Sequence, residues 1–457
     1  MITEGRQKVN TENATECQFG NAIKELKISS LLKASNIHKK KGGSVFDVFQ
    51  FLLLLVFQNC NLYHFLNSKK KDTAFSKNTY YRFLNEPKYN RKRFITLLAV
   101  RVTEYFNSLT RPDRAVCPVL DDSVIPRERS KKVELLSRVY DHVIHKTAKG
   151  FNMLTLGWTD GYSFVPVGFN MMASADAGKR LMPASESIDR RKFGCKSRRD
   201  AILHKPQAAV KMIHDALAAG IRASCVLMDT WFTNEPFIKE VLREGIDVIG
   251  MLKDNKQRYY YKGKRYNLKQ LAVFVDFNTQ HGIFGSVCVK TGKYNIPVKL
   301  VFVRNRNKKS EYIVILTTDC GLADSEVVRR YGNRWSIEVF FRAAKSLLDL
   351  GDEFQGLSYD MTVSSTAIVF TRYIILEWMR RKSNDQKTIC ELFYVCCDDV
   401  QDIELSSAME QLLKILCDGI KNRAITITNE VKTQLINWFV SQPAFIKALY
   451  PDFMWEV

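Results

Sequence analysis

The sequence predicts an α/β fold with helical regions before and after it. Three observations predict it. Helical periodicity dominates residues 1 to about 115; from there to about residue 252 apolar runs alternate between strand and helix length; a β-rich stretch and one long helical pattern then follow.

In the N-terminal part, Tyr80, Phe83 and Leu84 share one helical face, and Phe94, Leu97 and Leu98 repeat the pattern after Pro87. Basic runs at Lys39 to Lys41, Lys69 to Lys71 and Arg91 to Arg93 interleave with Tyr and Phe, as expected of a helical DNA-binding region spanning residues 1–114. Next, AVCPVLDDSVI reads as a strand ending in carboxylates, and FNMLTLGWTDGYSFVPVGFNMM reads as a hairpin turning at Asp160-Gly161. The basic stretch from Ala173 to Lys205 reads as a mobile loop that meets a polyanion. QAAVKMIHDALAAGI (helix), ASCVLMDT (strand), NEPFIKEVLREGI (helix) and DVIGML (strand) complete a first core segment, residues 115–252.

Residues 253–318 are β-rich, with strands expected at VCVKTG, IPVKLVFVRN and EYIVILTT. DSEVVRRYGNRWSIEVFFRAAKSLLDL then reads as one strong helix within residues 319–360, and 361–457 continues helical, for example TAIVFTRYIILEWMRRK and SSAMEQLLKIL.

The charge narrows the partner. There are 69 Lys and Arg against 48 Asp and Glu, a net +21, which calls for a polyanion and excludes an acidic-ligand buffer or acidic activation domain. Membrane is the weaker choice. The densest apolar run, Val45 to Phe57, is 13 residues long and carries Asp47 and Gln50. A spanning helix needs ~20 apolar residues. MITEGRQKVN has no apolar signal region, and eleven cysteines without a CxxC pair read as reduced thiols in a cytosolic protein. No P-loop motif is present, so no ATP requirement is expected.

Three acidic positions stand out. Asp121, with Asp122 beside it, follows the apolar VCPVL; Asp229 follows ASCVLM; Glu338 lies in the late helix. A carboxylate at a buried strand end costs desolvation unless a cation or donors compensate. Two such ends can converge on one site of hard oxygen ligands suited to Mg²⁺ or Mn²⁺ acting on phosphates. Tyr331, Arg334, Glu338 and Lys345, at offsets −7, −4, 0 and +7, fall on one stripe of a helix, with Val339, Phe340 and Leu347 opposite for packing. Asp160 is explained by its turn, His142 and His145 lack further ligands, and Asp349, Asp352 and Glu353 can be supporting residues behind the site.

YGNRWSIEVFFRAAK resembles the Y-x2-R-x3-E-x6-K signature of bacterial DDE transposases of the IS-four insertion-sequence type. VLDDS resembles that family's first-aspartate strand, VLMDTWF its second, and the β-rich gap between Asp229 and Glu338 resembles the β domain inserted there. The resemblance covers roughly residues 115 to 360. It implies an RNase H-like mixed sheet interrupted by a β-rich insertion, with flanking N- and C-terminal helical regions.

It also implies a catalytic triad of Asp121, Asp229 and Glu338 holding two Mg²⁺ ions, with Mn²⁺ able to substitute, and Asp122 the alternative first aspartate. Tyr331, Arg334 and Lys345 would bind DNA phosphates. A β-insertion aromatic, often Trp, stacks a flipped base in such families; none of the six tryptophans (Trp158, Trp231, Trp335, Trp378, Trp438, Trp455) lies in that segment, and Tyr259 to Tyr261 read as ordinary strand packing, with substitution for that Trp the alternative. The expected activity is cut-and-paste DNA transposition: endonucleolytic cleavage at terminal inverted repeats, then transfer of the 3′-hydroxyl to target DNA, a DNA recombination. A homodimer in a synaptic complex, bacterial cytoplasmic, nucleoid-associated location and independence of membrane and ATP go with it. The alternatives are a non-catalytic DNA-binding relic or regulator retaining the fold, and an RNase H-fold nuclease without strand transfer.

Overall fold

The computed structural model describes residues 18–39, 42–67, 75–111, 114–141, 145–254, 257–275, 277, 282–305, 308, 311–352, 356–382 and 387–400, together with 433, 434 and 437. Lys40, Lys41, Lys69 to Lys71, His142, Glu353, Trp438, Trp455 and the helix expected at 406–416 lie outside the described residues.

Six helices open the chain: α1 (Gln18–Glu25), α2 (Ile28–Ala34), α3 (Val45–Leu54), α4 (Leu62–Asn67), α5 (Lys77–Asn85) and α6 (Arg91–Ser108). Side-chain caps set three of their starts, Asn61 accepting from the His64 N–H at α4. Ser44 accepts from the Asp47 N–H at α3, and Asn90 accepts from the Arg93 N–H at α6. The run Val45 to Phe57 becomes α3 and a 3-10 turn, turned inward against α5 and a later helix.

The basic run Arg91 to Arg93 is not the exposed patch its composition suggests. Arg91 is buried and donates to the carbonyls of Phe83 (2.7 Å), Leu84 (3.1 Å) and Glu86 (2.8 Å), closing the C-terminal turn of α5. Lys92 bonds Asn170 and pairs with Asp200 at 3.5 Å; burial lowers its pKa to about 8, against the pull of Asp200. Only Arg93 faces outward. An orphaned carbonyl row at a helix end needs donors, and a buried guanidinium supplies several at once.

The sheet begins with β1 (Cys117–Pro126), β2 (Ser137–Asp141), β3 (Lys146–Thr159) and β4 (Phe164–Met172). Next come α7 (Phe193–Ala201), α8 (Lys205–Ala218), β5 (Cys225–Met228), α9 (Glu235–Arg243) and β6 (Asp247–Leu252). β7 (Tyr259–Tyr261), β8 (Lys264–Tyr266), α10 (Leu268–Leu271), β9 (Ile283–Thr291), β10 (Pro297–Arg304) and β11 (Tyr312–Thr317) follow. The described chain closes with α11 (Asp324–Gly332), α12 (Ser336–Ser346), α13 (Tyr359–Lys382) and helical residues 389–400.

All eleven strands form one mixed sheet. β1 lies between β3, antiparallel, and β5, parallel; β6 is parallel to β5, and β4 is antiparallel to β3. This mixed α/β architecture is consistent with an RNase H-like fold. The β-rich segment joins the same sheet: β11 pairs antiparallel with β6, and β10, β9, β7 and β8 continue outward from it. The hairpin expected at Asp160-Gly161 is β3–β4. Asp160 accepts from the N–H groups of Tyr162 and Ser163 at 3.0 and 2.8 Å, and Gly161 takes φ +86°, where a side chain would be strained.

Two expectations give way. The stretch from Ala173 to Lys205 is not a free loop. It carries α7, whose Arg198 bonds Glu134 at 2.5 and 2.7 Å and pairs with Asp360 at 2.8 Å, all three side chains buried. The late helix is two helices: a 3-10 turn at Asn333–Trp335 separates α11 from α12. Ile337, Phe340, Phe341 and Ala344 are the packing face of α12, whereas Val339 is exposed. Behind them runs α13, buried from Tyr359 to Met379. It packs on α6 and β4, as a helix enclosed by core must.

Candidate active site

The end of β5 creates the site. Asp121 is not the last residue of its strand, as the sequence suggested; β1 continues to Pro126 because β3 pairs with it through Gly150. Its other neighbour, β5, stops at Met228, opposite Leu120. From Asp121 onward β1 has lost its parallel partner, and the crevice beyond such a strand end is where open α/β sheets bind ligands. Asp229 is the first residue past β5, one register step from Met228 and so level with Asp121.

Helices α11 and α12 cross this crevice. Arg334, in the 3-10 turn between them, donates to Asp121 Oδ2 at 2.8 Å and lies 3.5 Å from Glu338 Oε1. Tyr331 lies against Arg334 and is raised in pKa, chiefly by burial. Lys345 reaches further along β1, to Ser123 Oγ at 2.7 Å and the Val124 carbonyl at 3.2 Å. The 3-10 turn thus breaks the helix without scattering the group: Arg334 still links to Tyr331 and Glu338 on either side of it.

Electrostatics mark the same spot. Burial pushes the Asp121 carboxyl up to about 7; Arg334 opposes the rise, and Asp229 and Glu338 add to it. Asp229 is also raised, mainly by burial, although its Oδ1 accepts from the N–H groups of Phe232 (3.2 Å) and Trp231 (3.0 Å). For Arg334, burial alone would lower the pKa, but Tyr331, Asp121, Glu338 and Asp229 together hold it above the usual value. Several like charges crowded into one half-buried crevice bind a cation well.

Asp122 lies within electrostatic reach of Asp229, whose pKa it helps to raise, and is held from the other side. Its Oδ1 takes Lys205 Nζ at 3.0 Å, as alternation along a strand requires of neighbouring residues. Lys205 also sits 4.4 Å from the ring centre of the exposed Trp231. Sequence reasoning assigned no role to Lys205, although it closes the basic stretch that was singled out. A second unassigned residue is Thr155. It stands directly across the β1–β3 ladder from Asp121, is fully buried, and its hydroxyl has no hydrogen-bond partner. A buried hydroxyl without a partner costs about 1–3 kcal/mol unless water or an ion satisfies it.

Other expected residues fall away from the crevice. Asp349 and Asp352 lie past the end of α12, Asp352 near Arg127 and Asp349 near Arg372. Of the tyrosines in β7, Tyr259 is buried, and Tyr260 and Tyr261 are half-buried.

Asp121, Asp229 and Glu338 carry hard oxygens of the kind a divalent cation takes, but they do not stand together as one three-ligand set. The unpartnered Thr155 hydroxyl beside Asp121 fits the same demand for an added partner. Among the described residues, no three His, Cys, Asp or Glu side chains stand close enough together to hold one metal ion. Arg334 lies within reach of both Asp121 and Glu338.

Residues 61–265 match the family model described as DDE superfamily endonuclease, and residues 199–362 match the one described as Transposase DDE domain. These matches support a DDE transposase. The first span contains Asp121 and Asp229, and the second contains Asp229 and Glu338. No curated protein matches the chain. DDE domains imply a nuclease-type enzyme acting on DNA. Among the described residues, no helix of this transposase-like chain is long and apolar enough to cross a membrane.

Proposed function

We propose that this protein is an insertion-sequence transposase of the IS-four type, and that Asp121, Asp229 and Glu338 are its catalytic carboxylates. The observation that carries the reading is the ion-pair bridge from Asp121 through Arg334 to Glu338, with Asp229 level with Asp121 on the next strand. Asp121, Asp229 and Glu338 would hold two Mg²⁺ ions, which would supply positive charge to the entering and leaving oxygens of an in-line displacement at phosphorus.

The protein's own residues do the remaining work. Arg334 and Lys345 would take non-bridging phosphate oxygens of bound DNA, Arg334 through a planar fork and Lys345 as a point charge. Tyr331 holds Arg334 in register and offers a phenol to the same phosphates. Water attacks phosphorus at the transposon end and the 3′ oxygen departs. The freed 3′-hydroxyl is then the nucleophile toward target DNA. Excision passes through a hairpin at the element's end, and two copies of the chain each grip one end. The +21 charge supports a DNA partner, in keeping with action on nucleoid DNA in a bacterial cytoplasm.

The test is cleavage of a labelled duplex carrying the DNA that flanks the gene, with Mg²⁺, with Mn²⁺ and with EDTA. Metal-dependent nicks at the ends that disappear in Asp229→Ala and Glu338→Ala are expected. Tight binding without cleavage in every metal would sink the catalytic reading. Joining of the cut ends to a target plasmid separates a transposase from a simple nuclease.

A further inference from the structure

The level below the aspartates carries two thiols. β1 and β5 run parallel with Val119 opposite Leu227 and Leu120 opposite Met228. Two residues back, that register places Cys117 opposite Cys225; two residues forward from Val119, it places Asp121 opposite Asp229. Each cysteine therefore precedes an aspartate by four residues, and strand positions an even number apart share a face. The Cys117 and Cys225 sulfurs approach to 3.3 Å, both thiols free and buried. Arg330, near the end of α11, lies against the thiol pair, and Arg334, four residues on in the 3-10 turn, against Asp121. The bond to the Cys225 thiol, with Arg330 adding to it, lowers the Cys117 pKa toward the thiolate, the reactive form, whereas the same bond and burial hold Cys225 as the thiol.

We propose that Cys117 and Cys225 form an oxidation site, at which a small hydroperoxide converts the two thiols into a disulfide that disturbs the aspartate pair above it. The second half of this inference rests on Asp121 and Asp229 being the catalytic carboxylates. The chemistry balances with the hydroperoxide as oxidant. The Cys117 thiolate attacks the peroxide oxygen, the O–O bond breaks, and hydroxide leaves and takes up a proton as water. The resulting sulfenic acid is attacked by the Cys225 sulfur, and the second water leaves with the Cys225 proton. Two electrons pass from sulfur to peroxide.

The backbone suits the bond. Neighbouring strands lie ~4.8 Å apart, within the ~4.4–6.8 Å between α-carbons that a disulfide spans. Closure brings the sulfurs from 3.3 Å to about 2.05 Å and cross-links the two strands four residues before the aspartates they carry.

The test uses the full native chain. It is treated with hydrogen peroxide, remaining thiols are alkylated, and the digest is searched by mass spectrometry for a peptide linking Cys117 to Cys225. The linked peptide is expected, and dithiothreitol is expected to remove it. Oxidised protein should nick DNA about a hundredfold more slowly, the scale of loss that follows a ~1 Å misplacement of reacting groups, and should recover on reduction. Cys225→Ser should keep its nicking rate under peroxide. Oxidation at other cysteines with Cys117 and Cys225 still alkylatable after unfolding would overturn the proposal, whether or not the variant folds. A linked peptide with unchanged nicking would overturn the coupling to the aspartates. Were the reduced protein itself to show no nuclease activity, the catalytic reading would fail and the linked peptide would still decide the oxidation site.

Discussion

The guanidinium of Arg334 donates to the carboxylate of Asp121 at 2.8 Å, across 213 residues of sequence. Both side chains are largely buried, and Glu338 shares the same nitrogen at 3.5 Å. Arg334 is therefore the internal counter-ion of a site that gathers negative charge.

Removing that counter-ion should cost stability. Arg334→Ala leaves Asp121 and Glu338 facing each other, and breaking such a pair from one side costs about 3 kcal/mol. Denaturant unfolding without divalent ions should show the loss, and millimolar Mg²⁺ should restore more of it in the variant than in the wild type. Equal effects of Mg²⁺ on both proteins would mean that the carboxylates do not share a cation site. Arg334→Lys should unfold nearer to wild type yet cleave poorly, because an ammonium lacks the planar fork.

Acid should weaken the Glu134 network. Burial alone would raise the Glu134 carboxyl, but hydrogen bonds from Arg198 and from the N–H groups of Ser185 and Tyr359 outweigh it and hold the pKa below 4.5. A depressed folded pKa contributes stability in full above the unfolded value, and that contribution is lost as pH falls through the folded value. Wild-type unfolding free energy should therefore fall from about pH 5 to pH 3. In Glu134→Gln it should start about 2–4 kcal/mol lower at neutral pH and change less over that interval. Parallel pH curves for the two proteins would refute the assignment.

Arg372 should matter for folding and not for DNA. Fully buried in α13, it donates to the carbonyls of Leu53 (2.9 Å), Leu52 (2.6 Å) and Leu348 (3.4 Å), tying α3 and the end of α12 to the central helix. Arg372→Ala strips donors from buried carbonyls, each worth about 1–3 kcal/mol when left unsatisfied. A large drop in melting temperature with unchanged DNA affinity of the folded fraction is expected. An unchanged melting temperature would count against this pin.

Salt should separate phosphate contacts from the rest. Raising salt from about 50 to 200 mM should weaken DNA binding by orders of magnitude. Lys345→Ala should weaken binding to all sequences alike and reduce the slope of log affinity against log salt by about one. An unaltered slope would remove Lys345 from the phosphate-binding set.

Much of this was legible in one dimension. The α/β pattern, the β3–β4 hairpin and the β-rich segment follow from apolar periodicity and turn residues, which act over a few positions. Asp121, Asp229 and Glu338 stood out as candidates because each stands beside an apolar run or within a spaced helical signature. The break at Asn333–Trp335 was not, since a single 3-10 turn leaves the apolar spacing nearly intact.

By itself, then, the sequence determined the elements, their order and the residue types available for chemistry. Only the tertiary structure decided that β5 stops one residue before Asp229 while β1 runs on, which leaves β1 without a parallel partner from Asp121 onward. It alone turned Arg91 and Lys92 inward, set Lys205 on Asp122, and put Cys117 against Cys225. The reason is physical. Strand register and helix docking are settled by contacts between residues about 80 to 210 positions apart, as the 83 positions from Asp122 to Lys205 and the 213 from Asp121 to Arg334 show. Local spacing carries no information about which distant partner will stand opposite.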